Sequence, residues 1–100
     1  PYLPSARNDY HGFDDMDSGQ IRLKGIPDQT LKKNYLRAIR ALRFSANYHL
    51  PIEGNTWLAI VRASRNVLDY VSISDIMDEW RKVEAENMWK FVQLLFDTDR

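Results

Sequence analysis

The sequence predicts a mainly α-helical protein, a bundle of three to four helices preceded by a loop and one short strand. Apolar side chains between residues 31 and 96 recur at steps of three and four, the spacing of one helix face. Residues 1–19 are instead rich in the turn formers Pro, Gly, Ser, Asn and Asp. Residues 20–24 alternate apolar and polar side chains, as a half-buried strand does. That strand would belong to a sheet lying mostly outside these residues.

Composition limits the chain to one domain with a modest core. Of its 100 residues, 44% are hydrophobic and 12% aromatic, and there is no cysteine, which excludes disulfides and thiolate metal sites. No apolar run approaches the roughly 18 residues of a membrane span, and no signal-peptide pattern opens the chain. We therefore expect no membrane partner.

The start of the chain at Pro1 allows two explanations. A chain without an initial Met is compatible with import into an organelle such as a mitochondrion or chloroplast, and equally with an incomplete sequence. We expect an intracellular protein, but the compartment is not identified by the sequence.

The central helix is predicted over residues 31–50. Pro27 sets its entry, and Asp28, Gln29 or Thr30 can cap it. Pro51 disfavours helical backbone at the preceding residue, so the helix should end near residues 48–50.

Three further helices are predicted after Pro51. Asn55 or Thr56 should begin one that runs to about Val67, and Ser72, followed by Asp75, resembles a shortened capping box. The helix that begins there should turn Ile76, Trp80 and Val83 inward, and residues 87–96 form the last apolar segment.

A row of arginines distinguishes the central helix. Arg37, Arg40 and Arg43 advance by three residues each and lie on neighbouring turns, from which we expect them to project outward. Because guanidinium is planar and binds phosphate oxygens in bidentate fashion, the row suits a run of phosphates. The alternative is a solvated face whose arginines pair with acidic residues elsewhere in the chain.

Charge is segregated along the chain although its formal net charge is zero. Residues 1–30 carry three basic and five acidic groups, residues 31–65 seven and one, and residues 66–100 four and eight. Either the acidic ends neutralise the basic middle, or the middle meets an external polyanion.

The sequence gives little support for a metal-binding site or for a nucleophilic catalytic site. Asp14, Asp15 and Asp17 lie close together, but the distant Glu of a calcium loop is absent, so turn capping is the favoured role. His11 and His49 are the only histidines, and no serine lies in a nucleophile elbow. We expect no catalytic residue and no metal ligand.

Three ordered blocks together resemble one family. Residues 36–44, LRAIRALRF, match the signature L-R-x-x-R-A-x-R-F. Residues 8–22 resemble D-P-F-x-G-x-x-D-L-x-x-G-x-I-R, and residues 72–82 resemble S-x-E-R-I-x-x-E-L-x-K. The positions in step in these two blocks are Gly12, Asp15, Gly19, Ile21, Arg22, Ser72, Ile76, Glu79 and Lys82. Over about residues 8–83 the chain thus resembles the bacterial-type class II RNA nucleotidyltransferases, which are the tRNA CCA-adding enzymes and bacterial-type poly(A) polymerases.

The resemblance implies a domain organisation and a binding site. Residues 1–26 would end a nucleotidyltransferase-like head domain, and residues 27–100 would form a helical neck domain. The family's neck helix carries an E-D-x-x-R motif whose Asp and Arg read the incoming base, and Lys33, Asn34 and Arg37 occupy those positions here. With the arginine row, the expected nucleotide- or RNA-binding residues are Asn34, Arg37, Arg40 and Arg43, and the secondary ones are Asp15, Arg22 and Lys33.

Departures from the family pattern argue against catalysis by this chain. The neutral side-chain amide of Asn34 both donates and accepts hydrogen bonds, so it cannot reproduce the charge-assisted contact that the family's Asp makes with the base. This change should cost about 1.5–3 kcal/mol of base discrimination. Family catalysis resembles two-metal phosphoryl transfer, with carboxylates that follow a Gly-Ser motif and hold Mg²⁺. No such motif occurs here. We expect no cofactor in this chain, and Mg²⁺ with a nucleoside triphosphate only if it is part of an active enzyme.

Three functions stay open at this point. The first is a diverged, non-catalytic relative that serves as an RNA-binding or structural subunit of a ribonucleoprotein, with tRNA, an mRNA 3′ end or rRNA and further proteins as partners. The second is a fragment of an active CCA-adding enzyme or poly(A) polymerase whose catalytic half lies upstream. The third is a protein-interaction bundle whose arginines pair with the chain's own carboxylates.

Overall fold

A computed structural model describes residues 12–14 and 19–98. This part of the chain is mainly helical, as the sequence predicts. Its α-helices are α1 (Pro27–Lys33), α2 (Leu36–Tyr48), α3 (Gly54–Tyr70), α4 (Ile73–Arg81) and α5 (Met88–Thr98), with a 3₁₀ turn at Ala85–Asn87 ahead of α5. No helix in residues 12–14 and 19–98 is both long and apolar enough to cross a bilayer.

The segment before α1 forms bridges rather than a sheet among the described residues. Ile21 and Leu23 are buried and Arg22 is exposed, which confirms the predicted alternation. Leu23 forms an isolated antiparallel bridge with Phe13, and Ile21 a parallel one with Ile52. The segment is therefore held against the entry of α3, and the predicted strand over residues 20–24 is present only as these bridges.

The predicted central helix is interrupted at Asn34. Its backbone is extended, with φ −160° and ψ 99°, and α1 ends before it. The Asn34 side-chain carbonyl oxygen Oδ1 accepts a hydrogen bond from the Leu36 backbone N–H at 3.1 Å. Asparagine competes with helical backbone through such local bonds, so the one predicted helix becomes α1 and α2. α2 ends at Tyr48 as expected, followed by His49 at φ 57°.

The later helices begin close to their predicted positions. α3 is capped by the Glu53 carboxylate, which accepts from the backbone N–H groups of Asn55 and Thr56. It extends to Tyr70, three residues beyond the predicted end. The predicted cap at Ser72 is confirmed, because its hydroxyl accepts from the Asp75 N–H at 3.1 Å.

α2 lies at the centre of the bundle and packs against α3, α4 and α5. Its residues Ala38, Ile39, Ala41, Leu42, Phe44 and Ala46 are buried. The Phe44 ring meets the Phe13 ring edge to face at 5.2 Å, which ties the segment before α1 to the core. Trp80 and Phe91 make a similar contact at 5.5 Å between α4 and α5. Phe13, Phe44 and Phe91 are buried and Trp80 is half-buried, whereas Tyr70, Trp89 and Phe96 are more than 70% exposed and lie outside the core.

Candidate nucleic-acid interface

Arg40 and Arg43 point into the interface between α2 and α4. Both reach Glu79, whose side chain is only 2% exposed. Arg40 Nε lies 2.9 Å from Glu79 Oε1, and Arg43 Nε lies 2.9 Å from Oε2. Lys82 Nζ lies 3.7 Å from Oε1. One buried carboxylate thus holds two guanidinium groups and adjoins an ammonium group.

The prediction that the arginine row projects outward is therefore wrong for Arg40 and Arg43. A step of three residues turns about 60° short of a full circle, so Arg37 and Arg43 lie about 120° apart around the helix. Arg43 faces the packed side of α2, where its residue is 6% exposed and its guanidinium carbon lies 4.6 Å from the Phe44 ring centroid. A carboxylate in such a place is stable only with cationic partners, and the two arginines supply them.

Arg37 lies at the junction of α1, α2 and the segment before α1. Its Nη1 donates to the Thr30 backbone carbonyl at 2.9 Å, which joins α2 to α1. The side chain also packs on Gly12, where a Cβ atom would lie 2.7 Å from Arg37 Nε. Arg37 is half-buried, and its Nε has no hydrogen-bond partner among the described residues. Arg37 thus connects α2 to α1 and to the segment before α1.

A surface ion pair holds α1 to α3. Arg62 Nη2 on α3 lies 2.9 Å from the Asp28 carboxylate on α1. The hydrogen bond to Asp28 raises the pKa of Arg62. Because arginine is charged throughout the accessible pH range in any case, the pair adds no pH dependence near neutrality.

A concave surface with two lysines and two tyrosines opens beside this junction. The cleft has a volume of about 440 Å³ and is lined by Lys32, Lys33, Asn34, Tyr35 and Tyr70, and we call it the tyrosine cleft. The rings of Tyr35 and Tyr70 are stacked, with centroids 5.2 Å apart and planes inclined by 17°. Lys32, Lys33 and Asn34 are exposed. The cleft combines cations, an amide and aromatic faces.

The structure brings only some of the predicted site residues together. Lys33 and Asn34 line the tyrosine cleft, and Arg37 lies beyond the break at Asn34, in the first turn of α2. Arg22 is exposed and lies 3.4 Å from the Asp14 carboxylate, in the segment before α1. Asp15 lies outside the described residues.

Metal-ligand geometry is absent from the described part of the chain. No three His, Cys, Asp or Glu side chains cluster there as a metal site would require. Asp15 and Asp17 of the acidic trio, and His11, lie outside that part.

Four residues of the site were not predicted from the sequence. Glu79 matches the family block, which implies no role for it, although it lies three residues after Ile76 and four before Val83, on the inward face of α4. A carboxylate on that face requires a cationic partner, which is the signal that could have identified it. Lys32 and Tyr35 are close in sequence, but Tyr70 joins them only through the fold, so the sequence does not indicate the cleft.

Comparison with known proteins gives one consistent result. The chain is 30% identical to a CCA-adding enzyme of Streptococcus agalactiae over 81 residues, which are 81% of this chain and 20% of the enzyme. The chain is similar to CCA-adding enzymes. Over 91 residues it is 31% identical to that of Ligilactobacillus salivarius, covering 90% of the chain and 22% of the enzyme. Over 74 residues it is 34% identical to that of Leuconostoc mesenteroides, which covers 74% of the chain and 18% of the enzyme.

These similarities support a relationship to the tRNA nucleotidyltransferases over a limited region. The chain spans about a fifth of the length of the curated relatives it matches. No protein-family model matches it. The resemblance to CCA-adding enzymes is thus supported, whereas the resemblance to poly(A) polymerases and the division into head and neck stay predictions.

Proposed function

We propose that this chain is the neck module of a tRNA nucleotidyltransferase relative, with residues 1–26 as the end of its head domain and residues 27–100 as the neck. It contacts RNA or nucleotide and does not itself catalyse nucleotide addition. The observation that carries the proposal is the similarity to CCA-adding enzymes over 74 to 91 residues. The exposed basic junction between α1 and α2 supports it, since Lys33, Asn34 and Arg37 occupy the positions of the family's base-reading motif.

The chemistry of the junction differs from the family pattern in one respect. The acceptor oxygen of Asn34 already binds the Leu36 N–H, and its side-chain NH₂ group donates to no described residue. An amide NH₂ suits an acceptor on a base edge, whereas the family's Asp suits an exocyclic amine. Asn34 therefore favours base acceptors such as carbonyl oxygens, and Lys33 provides a cation for the adjoining phosphate.

Arg37, Arg40 and Arg43 take different roles in this proposal. Arg37 positions the junction through Thr30 and Gly12. Arg40 and Arg43 fix α2 on α4 through Glu79, so they support the contact surface from behind. In an active enzyme, Mg²⁺ and a nucleoside triphosphate would be held by carboxylates of a catalytic Gly-Ser block, which this sequence does not contain.

Binding of tRNA by the 100-residue chain tests the proposal. Fluorescence anisotropy with a labelled tRNA that lacks its 3′ CCA should give a dissociation constant that rises steeply with salt. Lys33→Gln should weaken binding several-fold, whereas Arg81→Gln should not, because Arg81 is exposed on α4 and pairs with Asp78. The absence of salt-dependent binding would overturn the proposal.

A second candidate is the protein-interaction bundle, which two observations favour. Arg40 and Arg43 pair with an internal carboxylate, as that hypothesis requires. An apolar groove of about 500 Å³ also lies between α2, α3, α4 and α5, and Leu68 and Phe96 line it while 74% and 71% exposed. If the chain binds no tRNA, and Leu68→Ser abolishes association detected by sedimentation, this candidate replaces the first.

A further inference from the structure

We propose that the tyrosine cleft binds an unpaired segment of an RNA strand, with one base stacked on Tyr70 and the adjoining phosphates beside Lys32 and Lys33. This inference rests on the proposed function and names the chemistry of the RNA contact. It adds three residues that lie outside the base-reading positions of the motif: Lys32, Tyr35 and Tyr70.

The stacking argument starts from the two tyrosine rings. They are nearly parallel, inclined by 17°, with centroids 5.2 Å apart. Tyr35 packs against the core and fixes the inner ring. Tyr70 is 73% exposed although one of its faces meets Tyr35, so its other face is open to solvent. A nucleobase placed there continues a stack that already exists, and stacking does not depend on base identity.

The charge argument comes from the last turn of α1. Lys32 and Lys33 are exposed, and neither forms an ion pair with any residue in 12–14 or 19–98. Lysines in the last turn of a helix also stabilise it by interacting with the helix dipole. That structural role alone does not account for the stacked tyrosines beside them. Consecutive helical residues point about 100° apart, so the two ammonium groups can meet phosphates of successive nucleotides. The nearest acidic residue in sequence to Tyr70, Asp69, does not line the cleft.

The dimensions of the cleft favour a strand over a folded duplex. A volume of about 440 Å³ accommodates one base with its sugar and phosphate. In a duplex the bases are stacked on each other and unavailable to Tyr70, whereas an unpaired end exposes its base faces. A free nucleotide offers the same base and phosphate, and the experiment separates it from a strand.

Anisotropy with three probes tests the assignment: a labelled single-stranded RNA of about eight nucleotides, a blunt-ended RNA duplex without a loop, and CTP as competitor. Tyr70→Ala should weaken binding of the single strand about tenfold, and Tyr70→Phe should leave it unchanged. Trp89→Ala is the matched control, because Trp89 is 80% exposed on α5 and lies outside the cleft. The double variant Lys32→Gln with Lys33→Gln should reduce the slope of the logarithm of the binding constant against the logarithm of the salt concentration by about 1.4. The double variant Lys24→Gln with Lys90→Gln should leave that slope unchanged.

Each outcome separates this inference from the function on which it rests. If the chain binds tRNA but Tyr70→Ala binds the single strand like the parent chain, the cleft assignment is wrong and the proposed function stands. Equal binding of the blunt-ended duplex, or displacement of the strand by equimolar CTP, also overturns the assignment. If neither tRNA nor the single strand binds at all, the proposed function itself fails. Circular dichroism on each variant confirms that the helices are intact.

Discussion

Arg40 on α2 donates a hydrogen bond from its Nε–H to Oε1 of Glu79 on α4, at an N···O distance of 2.9 Å, and the Glu79 side chain is buried. A buried ion pair adds little net stability, because desolvation offsets most of the attraction. Its effect is on geometry, since a helix that rotated or slipped would leave the charges unpaired. We infer that Glu79 sets the register of α2 against α4, and thereby the orientation of the junction that α2 begins.

Glu79→Gln should destabilise the chain by about 3–5 kcal/mol, because Arg40 and Arg43 would lose the charge of a carboxylate that both contact in the packed interface. Urea unfolding measures the loss. Asp78→Asn is the control: Asp78 pairs with Arg81 on the surface, where both side chains are more than half exposed, so its loss should stay below about 0.5 kcal/mol. Similar losses in the two variants would contradict the role of Glu79. If Glu79→Gln does not fold, Arg43→Met in the same chain should partly restore folding.

Gly12→Ala should destabilise the chain more than Gly25→Ala. Both glycines have positive φ, 94° and 63°, and share the backbone cost of about 1–2 kcal/mol. At Gly12 the new Cβ would meet the Arg37 guanidinium at 2.7 Å, whereas at Gly25 no atom of the described residues lies within 4 Å. Thermal unfolding of both variants measures the difference. In an Arg37→Ala background the two losses should become equal, and a persisting difference would show that Arg37 is not the cause.

Thr56→Val should cost about 1–3 kcal/mol, because the buried Leu23 N–H would lose its acceptor. The Thr56 hydroxyl oxygen accepts that bond at 3.1 Å, and Thr56 is 0% exposed. Thr56→Ser keeps the hydroxyl and should retain most of the stability. Hydrogen exchange of the Leu23 amide reports the bond directly. An amide equally protected in the Val variant would exclude the hydroxyl as its partner.

Ser72→Ala should lower stability by about 1 kcal/mol, because α4 would lose the cap on its first turn. For a chain of this size that corresponds to a fall in Tm of roughly 4–8 °C. Ser72→Asp also accepts from the Asp75 N–H and should keep the parent Tm. A Tm that falls equally in both variants would indicate that the hydroxyl acts otherwise than as a cap.

Local signals predicted much of the fold. The burial of Ile21 and Leu23, the end of α2 before Pro51 and the cap at Ser72 each depend on residues close in sequence. The break at Asn34 was missed because an apolar stripe continues through it, while a bond from its own side chain decides the backbone.

The site was harder to predict because it depends on contacts between distant residues. Arg40 and Glu79 are 39 residues apart, and a one-dimensional charge pattern cannot show which carboxylate a given arginine meets. Tyr35 and Tyr70 are brought together only when α3 extends beyond its predicted end. The motif match did locate Lys33 and Asn34, which lie beside both tyrosines in the cleft.

Nuclear magnetic resonance tests the central claim most directly, because it reports the RNA contact at each residue. An ¹⁵N-labelled chain is titrated with a short single-stranded RNA in low salt. The account predicts that the backbone amides of residues 32–37 and of Tyr70 shift together, with one dissociation constant, while the Trp89 indole N–H stays unmoved. Shifts confined to α5 or to the apolar groove, or no shift at an RNA excess, would contradict it.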